Sequence, residues 1–345
     1  MVDERKKLIL DRVIENYINT AEPVGSKIIQ QTCDLEISTA TIRNELNELE
    51  KEGFLTHLHT SSGRVPTDKG YRLFVDSVMN VKSFPLEQQK IFESKIKLLE
   101  TNVNGILTQI TEIMTEIIDY TAIVITPDIY NETLRIVHFI LVDIDRILVV
   151  LLNSLGINRE FLINVADNKL GQDDFNEISK FLTKKLDGKN FTDFNQEVFV
   201  KLIEELPKFR NTAEVLFKEI KKVMKVLQKE KSVLMRGTSK MLKLPEFKNI
   251  EYTRKVLEIL EENKLLVNVL SLALDEKQDK VLIGQENAIS DLNKCSLAIS
   301  PIKVDDEAIG VVSVLGPTRM AYPFIVPMLN FICQRVTNFV TEKRR

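Results

Sequence analysis

The chain has 345 residues, 44% of them apolar and 28% charged, a net charge of −3 and three cysteines; that length predicts two or three domains of ~100–150 residues rather than one core. No segment approaches the ~20 uncharged apolar residues of a membrane span, and Met1-Val2-Asp3-Glu4-Arg5-Lys6-Lys7 leads into an amphipathic pattern rather than a signal core, so a soluble, cytoplasmic protein without a membrane association is expected. Cys33, Cys295 and Cys333 are far apart, odd in number and without CxxC spacing, which argues against a disulfide framework and a zinc site.

From Asp3 to Thr20, Ile9, Val13 and Tyr17 recur at helical spacing, flanked by Leu8, Ile14 and Ile18, and Pro23 closes the element. Ser26 is a candidate N-cap for a short second helix that runs to Thr32 and has Ile28 and Ile29 to bury. After the connection Cys33-Asp34-Leu35-Glu36-Ile37, Ser38 opens a third helix with Ile42, Leu46 and Leu49 at i, i+4, i+7, and Gly53 ends it. Phe54 to Thr60 alternates like a strand, Ser61-Ser62-Gly63-Arg64 reads as a turn and Val65-Pro66-Thr67 as the return. Three helices and a hairpin in this order predict a winged helix-turn-helix.

Between Pro85 and Asp119, the residues Phe92, Ile96, Leu99, Val103, Ile106, Ile110, Ile113 and Ile117 follow alternating steps of 4 and 3. That is a heptad seam on one helix about 50 Å long. Leu107, Met114 and Ile118 widen the stripe, which suits either packing against its own domain or an intersubunit coiled coil. Strands are predicted over 121–126, 134–142, 147–152 and 157–165, and helices over 173–230 with breaks near Gly188 and Pro207. A helix pair within 238–271, strands over 280–284, 296–303 and 308–315, and a helix over 323–341 complete the chain. The fold class is α+β and multidomain, one α+β unit interrupting another.

The segment from Ser38 to Asn47 has the composition of a DNA reader. With Ile42, Leu46 and Leu49 inward, Ala40, Arg43, Asn44 and Asn47 share the opposite face. Arginine pairs bidentately with guanine and asparagine with adenine, while alanine lets a thymine methyl approach. Ser38, Thr39 and Thr41 fall in the first turn, where hydroxyls and free N–H groups hold a phosphate. In the hairpin, His59, Ser61 and Arg64 are placed to reach a minor groove or a phosphate. Against this reading, residues 1–80 carry 10 Lys+Arg and 13 Asp+Glu, which weakens non-specific attraction to phosphates. Glu48, Glu50 and Glu52 lie toward the far end of the helix, leaving Arg43 and one acid, Glu45, in the half that would enter a groove.

No carboxylate pair, Ser-His-Asp set or phosphate loop stands out, so no enzyme activity, cofactor or metal is expected. Asp143 and Asp145 read as a hairpin turn, and His57 and His59 as hairpin residues rather than metal ligands.

The string Ser38-Thr39-Ala40-Thr41-Ile42-Arg43-Asn44-Glu45, with Leu49-Glu50, Gly53-Phe54-Leu55 and the run from His59 to Arg72, resembles the HrcA family of bacterial heat-inducible transcription repressors. Gly284-Gln285-Glu286-Asn287 and the run from Gly310 to Met320 are similar to that family's C-terminal motifs. The resemblance spans the chain and implies a winged helix-turn-helix over 1–78, a GAF-like domain over 79–127 and 231–345, and an inserted dimerising domain over 128–230. It also implies a homodimer that represses chaperone operons by binding double-stranded DNA at an inverted-repeat operator called CIRCE, with its activity maintained by the GroE chaperonin. The alternative is a metabolite-responsive repressor with an effector pocket in the GAF-like domain.

Overall fold

Asp3 starts the first helix, its carboxylate accepting a hydrogen bond from the Lys6 amide at 2.8 Å, and α1 then runs Glu4–Thr20 until Ala21 turns left-handed. A computed structural model describes residues 3–32, 37–57, 63–79, 83–96, 103–126, 133–166, 168–190, 196–227, 233–262 and 264–344. α1 buries Ile9, Leu10, Val13 and Ile14 against α2 (Ser26–Thr32) and α3 (Thr39–Lys51), which contribute Ile29 and Ile42, Leu46 and Leu49. Ile28, expected to be buried, is exposed. β1 (Leu55–His57) and β2 (Arg64–Pro66) pair antiparallel with Thr56 opposite Val65. Val24 adds a third rung by exchanging both backbone bonds with Arg64, at 2.9 and 2.8 Å. A Cβ on Gly63 would lie 2.6 Å from the Val24 carbonyl carbon, so the approach of hairpin to linker requires glycine there.

The return strand leads directly into α4 (Asp68–Val78), which was not anticipated. Thr67 caps it by accepting from the Gly70 amide at 3.2 Å, and Tyr71, Phe74, Val75 and Val78 form its buried face at i, i+3, i+4, i+7.

The single 50 Å helix expected over 85–119 is corrected. The described residues give two helices, α5 (Leu86–Ile96) and α6 (Val103–Ile117). Lys95 on α5 is ion-paired with Glu116 on α6, whereas 21 residues of one straight helix would hold them about 30 Å apart. The chain therefore doubles back, and the heptad positions Phe92, Val103, Ile106, Ile110 and Ile113 are buried within the monomer. Phe92 meets Phe331 of the C-terminal helix edge-on, ring centroids 5.8 Å apart.

The strands that follow segregate into two sheets. β3 (Thr121–Ile125), β7 (Val233–Arg236), β8 (Lys280–Ile283), β9 (Cys295–Val304) and β10 (Glu307–Pro317) form an antiparallel sheet in the order β7-β3-β10-β9-β8. β7, like α4, was not predicted. Along β3, Ala122 and Val124 join the core shared with α6 and α13 (Tyr322–Arg344), while Ile123 and Ile125 join a second core on the opposite face. That second core is covered by α10 (Thr238–Met241), α11 (Ile250–Glu262) and α12 (Lys264–Glu276). Helices on both sides explain why these strands read as continuous apolar runs.

The other sheet is the meander β4 (Leu134–Leu141), β5 (Arg146–Asn153), β6 (Asn158–Asn164). It packs with α7 (Gln172–Leu186), α8 (Gln196–Glu204) and α9 (Arg210–Leu227). α7 lies along the β4 edge and satisfies its backbone. Thr183 and Ser179 hydroxyls accept from the Val137 and Phe139 amides at 3.1 and 3.0 Å, and Gln172 accepts from Leu141 at 2.7 Å. Asp143 accepts from the Asp145 and Arg146 amides in the β4–β5 turn, as expected for that turn. The whole is a mixed α+β fold.

Candidate nucleic-acid interface

Ser38 sits in extended backbone before α3, and its Oγ accepts from the Thr41 amide at 3.1 Å while lying 3.0 Å from the Thr41 hydroxyl. The serine is thereby the N-cap of the helix. Thr39 and Thr41 are half-buried beside it. Ala40 in the first turn and Arg43 and Asn44 in the next are exposed together, opposite the buried Ile42, Leu46 and Leu49. These three stand as the periodicity places them.

The acids of α3 are drawn away from that face. Glu45 is buried and ion-paired with Arg5 of α1. Lys6, also on α1, lies 2.6 Å from Glu48 and 3.1 Å from Glu52. Its hydrogen bond holds the Glu48 carboxyl below the usual carboxylate range, and the same pairing raises the lysine. Glu50 lies 2.9 Å from Arg64 Nε and 3.2 Å from His57 Nε2. The glutamates at 45, 48, 50 and 52 thus have cationic or imidazole partners on α1 or the hairpin; the acidic total is unchanged, but each of these carboxylates is paired locally. At the C-terminal end, Lys69 donates to the Glu52 carbonyl at 2.8 Å and stands 4.4 Å from the Phe54 ring centroid.

Asn47 and Arg64 are placed differently from expectation. Asn47 is half-buried, and its Oδ1 accepts from Arg64 Nη2 at 2.5 Å. Arg64 Nη1 lies 3.2 Å from His57 Nδ1. The guanidinium expected at a groove or phosphate is therefore turned toward α3 and joins helix to hairpin. The signal that distinguishes these roles was position: Arg64 is the first residue of β2, not the turn tip. His59 and Ser61 lie outside the described residues.

Among the described residues, no group of His, Cys, Asp and Glu is arranged to hold a metal ion, and no helix is long and apolar enough to cross a membrane. An exposed Arg-Asn-Ala helical face with its acids neutralised from behind suits DNA contact.

Residues 104–326 match the family model described as the HrcA protein C-terminal domain. A heat-inducible transcription repressor HrcA from Acetivibrio thermocellus is 33% identical over 98% of this chain and 96% of its own length. The chain belongs to the HrcA family of heat-inducible transcription repressors. A further HrcA repressor, from Brevibacillus brevis, is 29% identical over 99% of each chain. One solved structure, a hypothetical protein at 2.2 Å resolution, shares the fold with a TM-score of 0.69 and 22% identity over 99% of this chain and all of that one. Transcription repression places DNA opposite some surface of an HrcA chain; the geometry of α3 supplies a candidate for it.

Proposed function

We propose that residues 1–78 are a winged helix-turn-helix whose α3 reads the major groove through Ala40, Arg43 and Asn44, in a homodimer bound to an inverted-repeat operator of the CIRCE type. The observation that carries this is the exposed α3 face backed by paired acids. Thr39 and Thr41 stand near the start of the helix, where phosphate contacts form. Residues 79–127 and 231–345 form the GAF-like domain in this reading, and 128–230 the inserted dimerising domain.

Support for dimerisation through the insertion comes from the outer face of its three-stranded sheet. Ile136 stands opposite Leu152, His138 opposite Val150, and Ile140 opposite Leu148, which is itself opposite Leu162. Ile136, Ile140 and Leu162 are 42%, 37% and 48% exposed, so the face is largely apolar and open. A second copy of the same face would bury it symmetrically.

The family's heat control is accounted for by the GroE chaperonin maintaining the active population, so that unfolded clients competing for chaperonin release the operator. For the metabolite-responsive alternative, one cavity among the described residues bears on the C-terminal sheet. The cavity against the C-terminal sheet lined by Asp279, Ser300 and Asn330 measures about 10 Å³, room for one water rather than a metabolite.

A gel-shift titration with a CIRCE-type inverted repeat, with and without chaperonin, tests the reading. Salt-dependent binding strengthened by chaperonin is expected. Absence of binding at every chaperonin concentration overturns the operator assignment, and equal binding with and without chaperonin overturns the control mechanism.

A further inference from the structure

Three sets of contacts join the DNA-reading module to the C-terminal part of the chain, and two of them centre on the motifs near the chain's end, through Arg319 and through Gly284 to Glu286. Arg319, in the link between β10 and α13, is only 9% exposed. Its guanidinium holds both carboxylate oxygens of Glu246, with Nη2 3.2 Å from Oε2, and donates from Nη1 to the Ile18 carbonyl at 3.1 Å. Ile18 lies in the last turn of α1, where carbonyls lack helical partners and α1 has no basic residue of its own. The cation that caps the first helix thus comes from 301 positions along the chain.

The second set centres on α4. Arg72 is ion-paired with Glu286, donating to Oε1 at 2.8 Å, and also donates to the Val281 carbonyl. Asp68 accepts from the Gln285 amide at 3.0 Å. Gly284 has φ +52°, and a Cβ there would lie 2.1 Å from Asp68 Oδ2, so a side chain at 284 would push the two surfaces apart. In the third set, Tyr71 of α4 packs on Tyr322 of α13, ring centroids 6.0 Å apart. The Tyr322 hydroxyl lies 2.7 Å from the Ser296 hydroxyl and donates to the Thr318 carbonyl at 2.5 Å.

None of these contacts covers Ala40, Arg43 or Asn44, which stay exposed. The joint leaves the reading face open and fixes its direction. Polar interfaces between domains of one chain permit relative motion unless specific contacts tie them. Here, beside the aromatic contact of Tyr71 with Tyr322, the polar ties include two arginines: Arg72 engages the Glu286 carboxylate and the Val281 carbonyl across the joint, and Arg319, gripped by Glu246 of its own domain, donates across it to the Ile18 carbonyl.

We propose that Arg319 and Arg72 are positioning residues for operator recognition, holding α3 at one angle to the C-terminal sheet so that a dimer presents its two reading helices at a single spacing. This rests on the dimeric, inverted-repeat reading above. A rigid joint makes engagement of the second half-site nearly intramolecular, and a loose joint forfeits that advantage while leaving each module's own grip on DNA unchanged.

The test uses full-length protein and three duplexes: the inverted repeat, a single half-site, and the repeat with its spacer lengthened by two base pairs. The wild-type protein binds the repeat far more tightly than the half-site and loses affinity when the spacer grows. Arg319→Ala and Arg72→Ala lower affinity for the repeat at least tenfold, keep half-site affinity within twofold and become less sensitive to spacer length; Arg319→Lys, able to cap Ile18 but not to grip Glu246 bidentately, falls between. Unchanged spacer discrimination in both alanine variants overturns the positioning role. Parallel loss on repeat and half-site in both overturns it as well, since that marks damage to the module itself. A wild-type protein that binds repeat and half-site alike overturns the dimeric reading instead.

Discussion

Arg64 on the return strand and Asn47 on α3 are joined by a 2.5 Å hydrogen bond, and the same guanidinium lies 2.9 Å from Glu50. Removing it leaves the half-buried Asn47 amide oxygen without this donor and the Glu50 carboxylate with His57 alone of the two hairpin partners. Arg64→Ala is therefore expected to destabilise the protein by ~1–3 kcal/mol, read from the denaturant midpoint. A phosphate-binding arginine would instead contribute about one unit to the slope of log affinity against log salt. That slope stays at its wild-type value in Arg64→Ala if the side chain braces the helix, and a slope reduced by a full unit would return Arg64 to the DNA.

Arg43 and Asn44 are exposed on α3, away from the face that packs on α1. Arg43→Ala and Asn44→Ala should each lower discrimination between operator and altered operator by ~1–3 kcal/mol for each base pairing that the side chain makes. Thermal unfolding should move little. Unchanged operator affinity in both variants would remove α3 from the major groove.

The difference between those two arginines was only partly legible in the sequence. Helical period assigns Arg43 to the face opposite Ile42 and Leu46, and the structure keeps it there. Arg64 depends on how the hairpin folds over α3, which local spacing does not encode. The same limit separates α4 from α5 and α6. Thr67 followed by Asp68, with Tyr71, Phe74, Val75 and Val78 at helical spacing, is a legible cap and stripe that the hairpin reading passed over. The steps of 4 and 3 from Phe92 to Ile117 describe which face is buried, but two helices folded back on one core satisfy them as well as one long rod does. The partners of Arg72 and Arg319, 214 and 73 positions away, leave no trace in local pattern at all.

The outer face of the β4-β5-β6 sheet supplies a third expectation. Leu148 pairs across to both Ile140 and Leu162, so a charge introduced there lies at the centre of the apolar surface. Leu148→Asp should give monomers by light scattering at micromolar concentration with unaltered circular dichroism, because an unpaired carboxylate in a buried interface costs several kcal/mol. Deletion of 128–230 should give monomers too. An intact dimer in both would move the interface elsewhere on the molecule.

The buried thiols tie pH to stability. Burial raises Cys295 to about 11 and Cys333 to about 12 from an ordinary thiol value of 9.0. Cys333 also donates to the Ser300 carbonyl at 3.4 Å, which an anion cannot do. At pH 8 both are protonated and covered, so a thiol-reactive disulfide reagent should find them withheld in the native protein, while the unfolded chain releases all three cysteines. A raised acid favours the folded state fully below its unfolded value. That contribution is lost as pH climbs from about 9 through the folded values near 11 and 12. Burial raises Tyr322 in the same direction, so the denaturant midpoint should fall steeply across this alkaline window. Cys333→Ala, although less stable at neutral pH for want of the side chain's packing, should lose less of its midpoint between pH 8 and pH 11 than the wild type. Equal losses would exclude Cys333 as a source of the alkaline sensitivity.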